Sequence, residues 1–214
     1  MESLRNNDEF TKIAFEHNMF SVHPSSKPKY KDEFMDAFGS NKNISEQKEI
    51  ASDSLKIFEE IWGMKSKSFI APSYTWNPLL EETLNINGVK YLQGIMVQKT
   101  HSEHYGLPIK KKFHYQGEKN KFGQRYLVRN AFFEPALTPG IDNVSDCMNR
   151  IEIAFKWKKP AVIGSHRLNF IGFINPDNRD KNLKLLTGLL KKIKSKWSDV
   201  EFMSSDMLGD TMNN

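Results

Sequence analysis

His166 and Arg167 follow directly on Val162-Ile163-Gly164-Ser165, so an imidazole and a guanidinium stand where a β-branched, apolar run should end a buried strand. An imidazole at a strand end can act as general acid or base near neutral pH, or as a metal ligand. It can equally close the strand by bonding backbone carbonyls. Arg167 can clamp a carboxylate or phosphate, or pair with a neighbouring helix. Asn169 adds a polar group to the same turn. A second constellation, Pro72-Ser73-Tyr74-Thr75-Trp76-Asn77, combines rings with hydrogen-bonding groups, the chemistry that holds sugars, whose C–H faces pack on aromatics. Tyr74, Trp76, Asn77, Arg167 and Asn169 are therefore candidate substrate contacts. Trp76 can instead belong to the core, and Asn77 can serve as a helix cap.

The remaining histidines suggest metal chemistry. His101 and His104 are spaced to share one side of a helical turn and would bind zinc if Glu103 or Glu134 approached. His17 and His23 lie in an Asn- and Pro-containing stretch. Cys147 is the lone cysteine, which excludes an internal disulfide framework and a thiolate zinc cluster; inside a helix it reads as a small apolar filler. The chain has no Gly-rich phosphate loop, no Gly-x-Ser-x-Gly elbow and no His-Glu-x-x-His helix.

The elements that must position these residues follow from periodicity. Residues 1–43 are polar and irregular, with one short helix expected near Tyr30 to Phe38. From Ile44, the residues Ile50, Leu55, Ile57, Phe58, Ile61 and Trp62 form a helical stripe stopped by Gly63. Lys67 to Ala71 reads as a strand ending at Pro72. Asn77 and Pro78 open a helix carrying Leu79, Leu80 and Leu84, and Val89 to Gln93 is a second strand, parallel to the first. Residues 94–124 read as a long polar and aromatic insertion, and Tyr126 to Val128 as a returning strand. A helix from Ser145 to Trp157, the strand Pro160 to Gly164, a strongly amphipathic helix from Leu183 to Trp197, a last strand Asp199 to Met203 and a short helix after Ser205 complete the chain.

This alternation predicts an α/β fold with a mainly parallel sheet of about five strands, in residues 44–214 after the irregular segment 1–43. In such sheets reactive groups gather beyond the C-terminal strand ends, where Tyr74, Gln93, His166 and Ser204 to Asp206 fall. The 214 residues, 27% charged and 38% hydrophobic, have a globular composition. The net charge of +5 comes from lysine clusters at 110–112, 156–159 and 191–196, which read as solvated faces rather than a nucleic-acid surface. No signal peptide or transmembrane stretch is evident, so the sequence as written reads as cytoplasmic, with no membrane partner.

Two segments, SFIAPSYTWNPLLEETLNINGVKYLQG and KKPAVIGSHRLNFIGFINPDNRDKNLKLLTGLLKKIKSKWSDVEFMSSDMLGD, resemble the C-terminal part of the polysaccharide deacetylase-like family. Members have a strand ending in an Arg-x-Pro-Tyr type motif, then a helix, a Gly-Val/Ile-x-Tyr strand and a later strand ending in a histidine. These map to Ala71-Pro72-Ser73-Tyr74, to Gly88 through Tyr91 and to Ser165-His166, and the resemblance spans roughly residues 44–210. It implies a distorted (β/α) barrel and metal-dependent hydrolysis of N- or O-acetyl groups on a polysaccharide or oligosaccharide. It also implies a divalent metal such as zinc held by an Asp and two His, a second Asp as base, and His166 as general acid. The nearest match to the metal histidines is His17 and His23, at a different spacing from His-x-x-x-His. The chain has no Asp-Asp pair, and Ala71 replaces the motif's arginine. The resemblance thus implies an incomplete barrel, either truncated before its metal-bearing strands or with catalysis rebuilt on His101, His104 and Glu134. The alternative is a non-catalytic carbohydrate-binding or protein-interaction module built around Tyr74 and Trp76.

Overall fold

The computed structural model describes residues 9–17, 43–100 and 110–212. The expected helix at Tyr30 to Phe38 lies outside them. The chain divides into two compact units, one of Met1–Ser66, Ile70–Val89 and Gln98–Lys112, the other of Lys67–Phe69, Lys90–Val97 and Phe113–Asn214.

In the first unit, helix α1 (Glu9–Glu16) falls in the segment expected to be irregular. Helix α2 (Ile44–Trp62) begins with a capping box: the Asn43 side chain accepts from the Glu46 N–H while the Glu46 carboxylate accepts from the Asn43 N–H. It stops at Gly63, whose φ of 67° closes the helix in the left-handed region without a Cβ penalty. The apolar stripe does form on this helix but is not its buried side: Ala51 is buried, whereas Ile57, Ile61 and Trp62 are exposed. Helix α3 (Leu80–Ile86) packs on α2 and buries Leu80 and Leu84 with Ala71, Trp76 and Val89. Asn77 is not the cap expected of it: Leu79 holds that position without a side-chain bond, and the Asn77 Oδ1 instead accepts from the Leu79 N–H at 3.0 Å in the turn before the helix. The stretch read as an insertion contains strands β3 (Val97–Thr100) and β4 (Lys110–Phe113), which form a two-stranded sheet. Its polar sequence hid them, since no apolar alternation marks a strand.

The second unit contains the sheet that carries the parallel pairing. Strand β1 (Ser68–Ile70) neighbours β2 (Tyr91–Gly94), which neighbours β5 (Arg125–Val128). β2 and β5 are parallel, with Tyr91 opposite Arg125 and Gly94 opposite Val128. β2 starts two residues later than expected because the Val89 N–H is still bonded to the Leu84 carbonyl. Past β5 the chain continues into β6 (Ala131–Phe132), which pairs in parallel with β7 (Ile163–Gly164). β7 is shorter than the predicted strand because Asn130 intervenes: its side chain donates to the Pro160 carbonyl and accepts from the Val162 N–H, replacing ladder bonds. Helices α4 (Asn143–Lys156) and α5 (Pro176–Lys196) cover this pair, burying Phe133, Val144, Cys147, Ile151, Leu189 and Ile193 in one cluster. Helix α6 (Ser205–Thr211) packs on β2, with Gly209 against the Tyr91 ring.

The predicted last strand is absent: Asp199 to Met203 is irregular, and its residues 200–203 line a cavity of about 300 Å³ together with Pro160 to Ile163. The fold is therefore α/β with mostly parallel strands, as expected, and among the described residues the strands do not close into a barrel. No helix among the described residues is long and apolar enough to cross a membrane.

Candidate functional site

Because β6 and β7 run in parallel, they deliver their next residues to the same sheet edge. Phe132 faces Gly164 and the Phe133 N–H bonds the Gly164 carbonyl, so Glu134 emerges beside His166. The Glu134 Oε1 lies 2.7 Å from His166 Nδ1, and its Oε2 accepts from the His166 backbone N–H at 3.3 Å. The carboxylate is nearly enclosed, its side chain 12% exposed, while that of His166 is 58% exposed. This is a buried acceptor holding a solvent-facing imidazole. With Glu134 accepting the Nδ1–H, the Nε2 of a neutral imidazole keeps its lone pair for an incoming proton.

Two asparagines hold Glu134, one by its backbone and one by its carboxylate. The Asn143 Oδ1, at the start of α4, accepts from the Glu134 N–H at 3.3 Å and from the Thr138 hydroxyl at 2.9 Å, which holds the loop between β6 and α4. Asn169, on the short 3₁₀ turn Arg167–Phe170, is fully buried and donates from Nδ2 to Glu134 Oε2 at 2.8 Å. Ser165 cannot be an activated nucleophile in this arrangement, since its hydroxyl donates to the Phe133 carbonyl at 2.8 Å. Arg167 is exposed.

Tyr74, Trp76 and Asn77 belong to the first unit. Trp76 is 4% exposed, its indole N–H facing Glu81 Oε1 at 3.3 Å and its carbonyl accepting from Gln98, so the ring is a core element. Tyr74 closes the turn after β1 with φ of 58°, a left-handed conformation that costs a non-glycine residue about 1–3 kcal/mol. His17 is exposed just after α1, while His23, His101, Glu103 and His104 lie outside the described residues. Among the described residues, no three His, Cys, Asp or Glu side chains gather as ligands for a metal ion. Burial pushes the Cys147 thiol up to about 11, in keeping with an inert filler. The lysine clusters are surface groups, with Lys156 and Lys196 both paired to Glu152.

The structure thus brings together His166, Asn169 and Glu134, the last of which the sequence suggested only as a zinc ligand or a rebuilt catalytic group. Asn143 was not anticipated, since the helix was expected to begin only at Ser145. No protein-family model matches the chain, and no curated protein matches it.

Proposed function

We propose that this chain is a polysaccharide deacetylase-like hydrolase, acting on N- or O-acetyl groups of a polysaccharide or oligosaccharide, with His166 as its proton carrier. The observation that carries this reading is the 2.7 Å pairing of exposed His166 with enclosed Glu134 at the C-terminal edge of two parallel strands. A distorted (β/α) barrel is the architecture that goes with it. In the reaction, water adds to the acetyl carbon and the C–N or C–O bond to the sugar breaks. Nε2 of His166 takes a proton as water adds and returns one to the departing nitrogen or oxygen, while Glu134 keeps the Nδ1–H in place and offsets the positive charge of the imidazolium. The resemblance also implies a divalent metal such as zinc. The described residues supply no set of ligands that fits one, and no step here runs through it.

The test is acetate release from acetylated chitooligosaccharides and acetylated xylooligosaccharides, with and without added zinc. Replacing His166 by Gln should lower the rate about 10²- to 10⁴-fold, the range of a lost general acid–base group. Equal acetate release by wild type and H166Q, or none by wild type on either substrate class, would sink the reading. The burial of Trp76 gives the alternative, a binding module built on its ring, no support.

A further inference from the structure

Asn169 was a candidate substrate contact, yet its surroundings leave it no access to a substrate: it is 0% exposed, and its amide is consumed within the protein. The Oδ1 accepts from the Ala136 backbone N–H at 3.0 Å. A backbone N–H can only donate, so this bond fixes the amide's orientation and turns Nδ2 toward the opposite side. There its two protons meet a concentration of acceptors: Glu134 Oε2 and the His166 carbonyl at 2.8 Å, the Ser165 hydroxyl oxygen at 3.0 Å and the Phe133 carbonyl at 3.4 Å. The residue is itself anchored, because Asn182 of α5, also buried, donates to the Asn169 carbonyl at 2.9 Å. Asn178, one turn earlier, accepts from Asn182 and donates to the carbonyls of Leu168 and Ile171, which pins the turn to the helix.

We infer that Asn169 is a positioning residue that acts through Glu134, holding the carboxylate in the one orientation that selects the Nδ1–H form of His166. The inference rests on the proposed role of the pair. Glu134 Oε1 faces the imidazole and Oε2 faces Asn169, so each carboxylate oxygen has an assigned partner. Removing the Asn169 donor leaves Oε2 only the longer 3.3 Å bond from the His166 backbone N–H, and the carboxylate, held less firmly, can then rotate away from the ring. An aspartate at 169 has no proton to offer there, and serine is too short to reach.

The experiment reads the imidazole nitrogens of the full-length protein by ¹⁵N NMR, at a pH where the rings are neutral. It needs no turnover, so its failure and the failure of the hydrolase reading are separate results. Wild-type His166 is expected in the Nδ1–H form. In Asn169→Ser and Asn169→Leu the ratio of Nδ1–H to Nε2–H should fall about tenfold, the equivalent of one hydrogen bond to a charged group. His114, whose Nδ1 lies 3.0 Å from Glu118 Oε2 in the same unit, reports whether that unit stays folded. An unchanged His166 ratio in a variant that keeps the wild-type His114 signal overturns the inference, as does a wild-type His166 in the Nε2–H form. If both variants lose the His114 signal, Asn182→Ser, which removes the bonds to the Asn169 carbonyl and to Asn178 Oδ1 but leaves the Asn169 side chain in place, must produce a smaller shift in the same direction. No shift there overturns the inference as well. With an active substrate in hand, Asn169→Ser should lower kcat and leave KM within a few-fold, whereas a substrate contact would raise KM.

Discussion

At the scale of single residues, His166 was legible because a titratable side chain at the end of a β-branched run breaks the local rule, and such breaks mark functional sites. Its partner was not legible. Glu134 lies 32 positions away in sequence, and their meeting depends on the register of β6 against β7, which a two-residue strand does not announce. Asn169 was legible as a polar group near the site and was read as a substrate contact, since sequence cannot distinguish a buried asparagine from an exposed one. Glu134→Gln leaves the shape of the site intact but weakens the stabilisation of the imidazolium, and acetate release should fall about 10- to 100-fold with little change in KM; a rate equal to wild type would remove Glu134 from the mechanism. Cys147 is fully buried and its thiol is pushed up to about 11, so the native protein should resist aromatic disulfide reagents at pH 8 and react fully in denaturant. Rapid labelling of native protein would contradict the packing of α4 on the sheet.

At the scale of elements, the helices were read well where a stop signal and apolar spacing agreed, as in α2, which ends at Gly63. Strands were read less well, since their limits are set by side chains from elsewhere: Asn130 shortens β7, and the carbonyl of Leu84 delays β2. The contact of α6 with β2 is one such non-local fit. A Cβ on Gly209 would lie 2.3 Å from Cε1 of the fully buried Tyr91 ring, which has nowhere to retreat. Gly209→Ala should therefore destabilise the protein by about 1–3 kcal/mol, measured as a lower urea midpoint at unchanged slope. A midpoint equal to wild type would mean that α6 does not pack as described. The same helix carries a pH dependence. The Tyr91 hydroxyl, donating at 2.5 Å, and the Lys67 ammonium at 3.1 Å hold the Asp210 carboxyl below its usual range. At the start of α4, the Ser145 backbone N–H and hydroxyl do the same for Asp142. Both groups have folded-state values below their unfolded ones, so their stabilisation is fully present above about pH 4, the unfolded carboxylate value, and is lost as pH falls through the lower folded values. Replacing both by Asn should flatten the fall in urea midpoint between about pH 4 and pH 2 relative to wild type. Parallel curves for variant and wild type would refute that assignment.

At the scale of the whole molecule, the α/β class and the parallel strands followed from the alternation of elements, while the division into two units did not, because the chain enters the second unit three times. No composition shift marks those entries. The second unit therefore cannot be obtained by one cut, and that has a measurable consequence. In a fragment of residues 113–214, β5 loses β2: the Arg125 N–H no longer finds the Lys90 carbonyl, the Arg129 N–H no longer finds the Gly94 carbonyl, and α6 loses Tyr91. The cluster beneath β6 and β7, from Phe133 through Cys147 and Ile151 to Leu189 and Ile193, draws all its members from the fragment. Helices α4 and α5 should thus keep protected amides in hydrogen exchange while residues 125–128 exchange freely, since an unpaired strand leaves its backbone groups to water. Adding residues 1–112 as a separate chain should restore protection at 125–128 by supplying β2. Full protection of β5 in the fragment alone would show that its order does not depend on the parallel partner. Loss of protection throughout the fragment would show instead that the β6–β7 cluster, and with it the frame that sets Glu134 beside His166, requires the rest of the sheet.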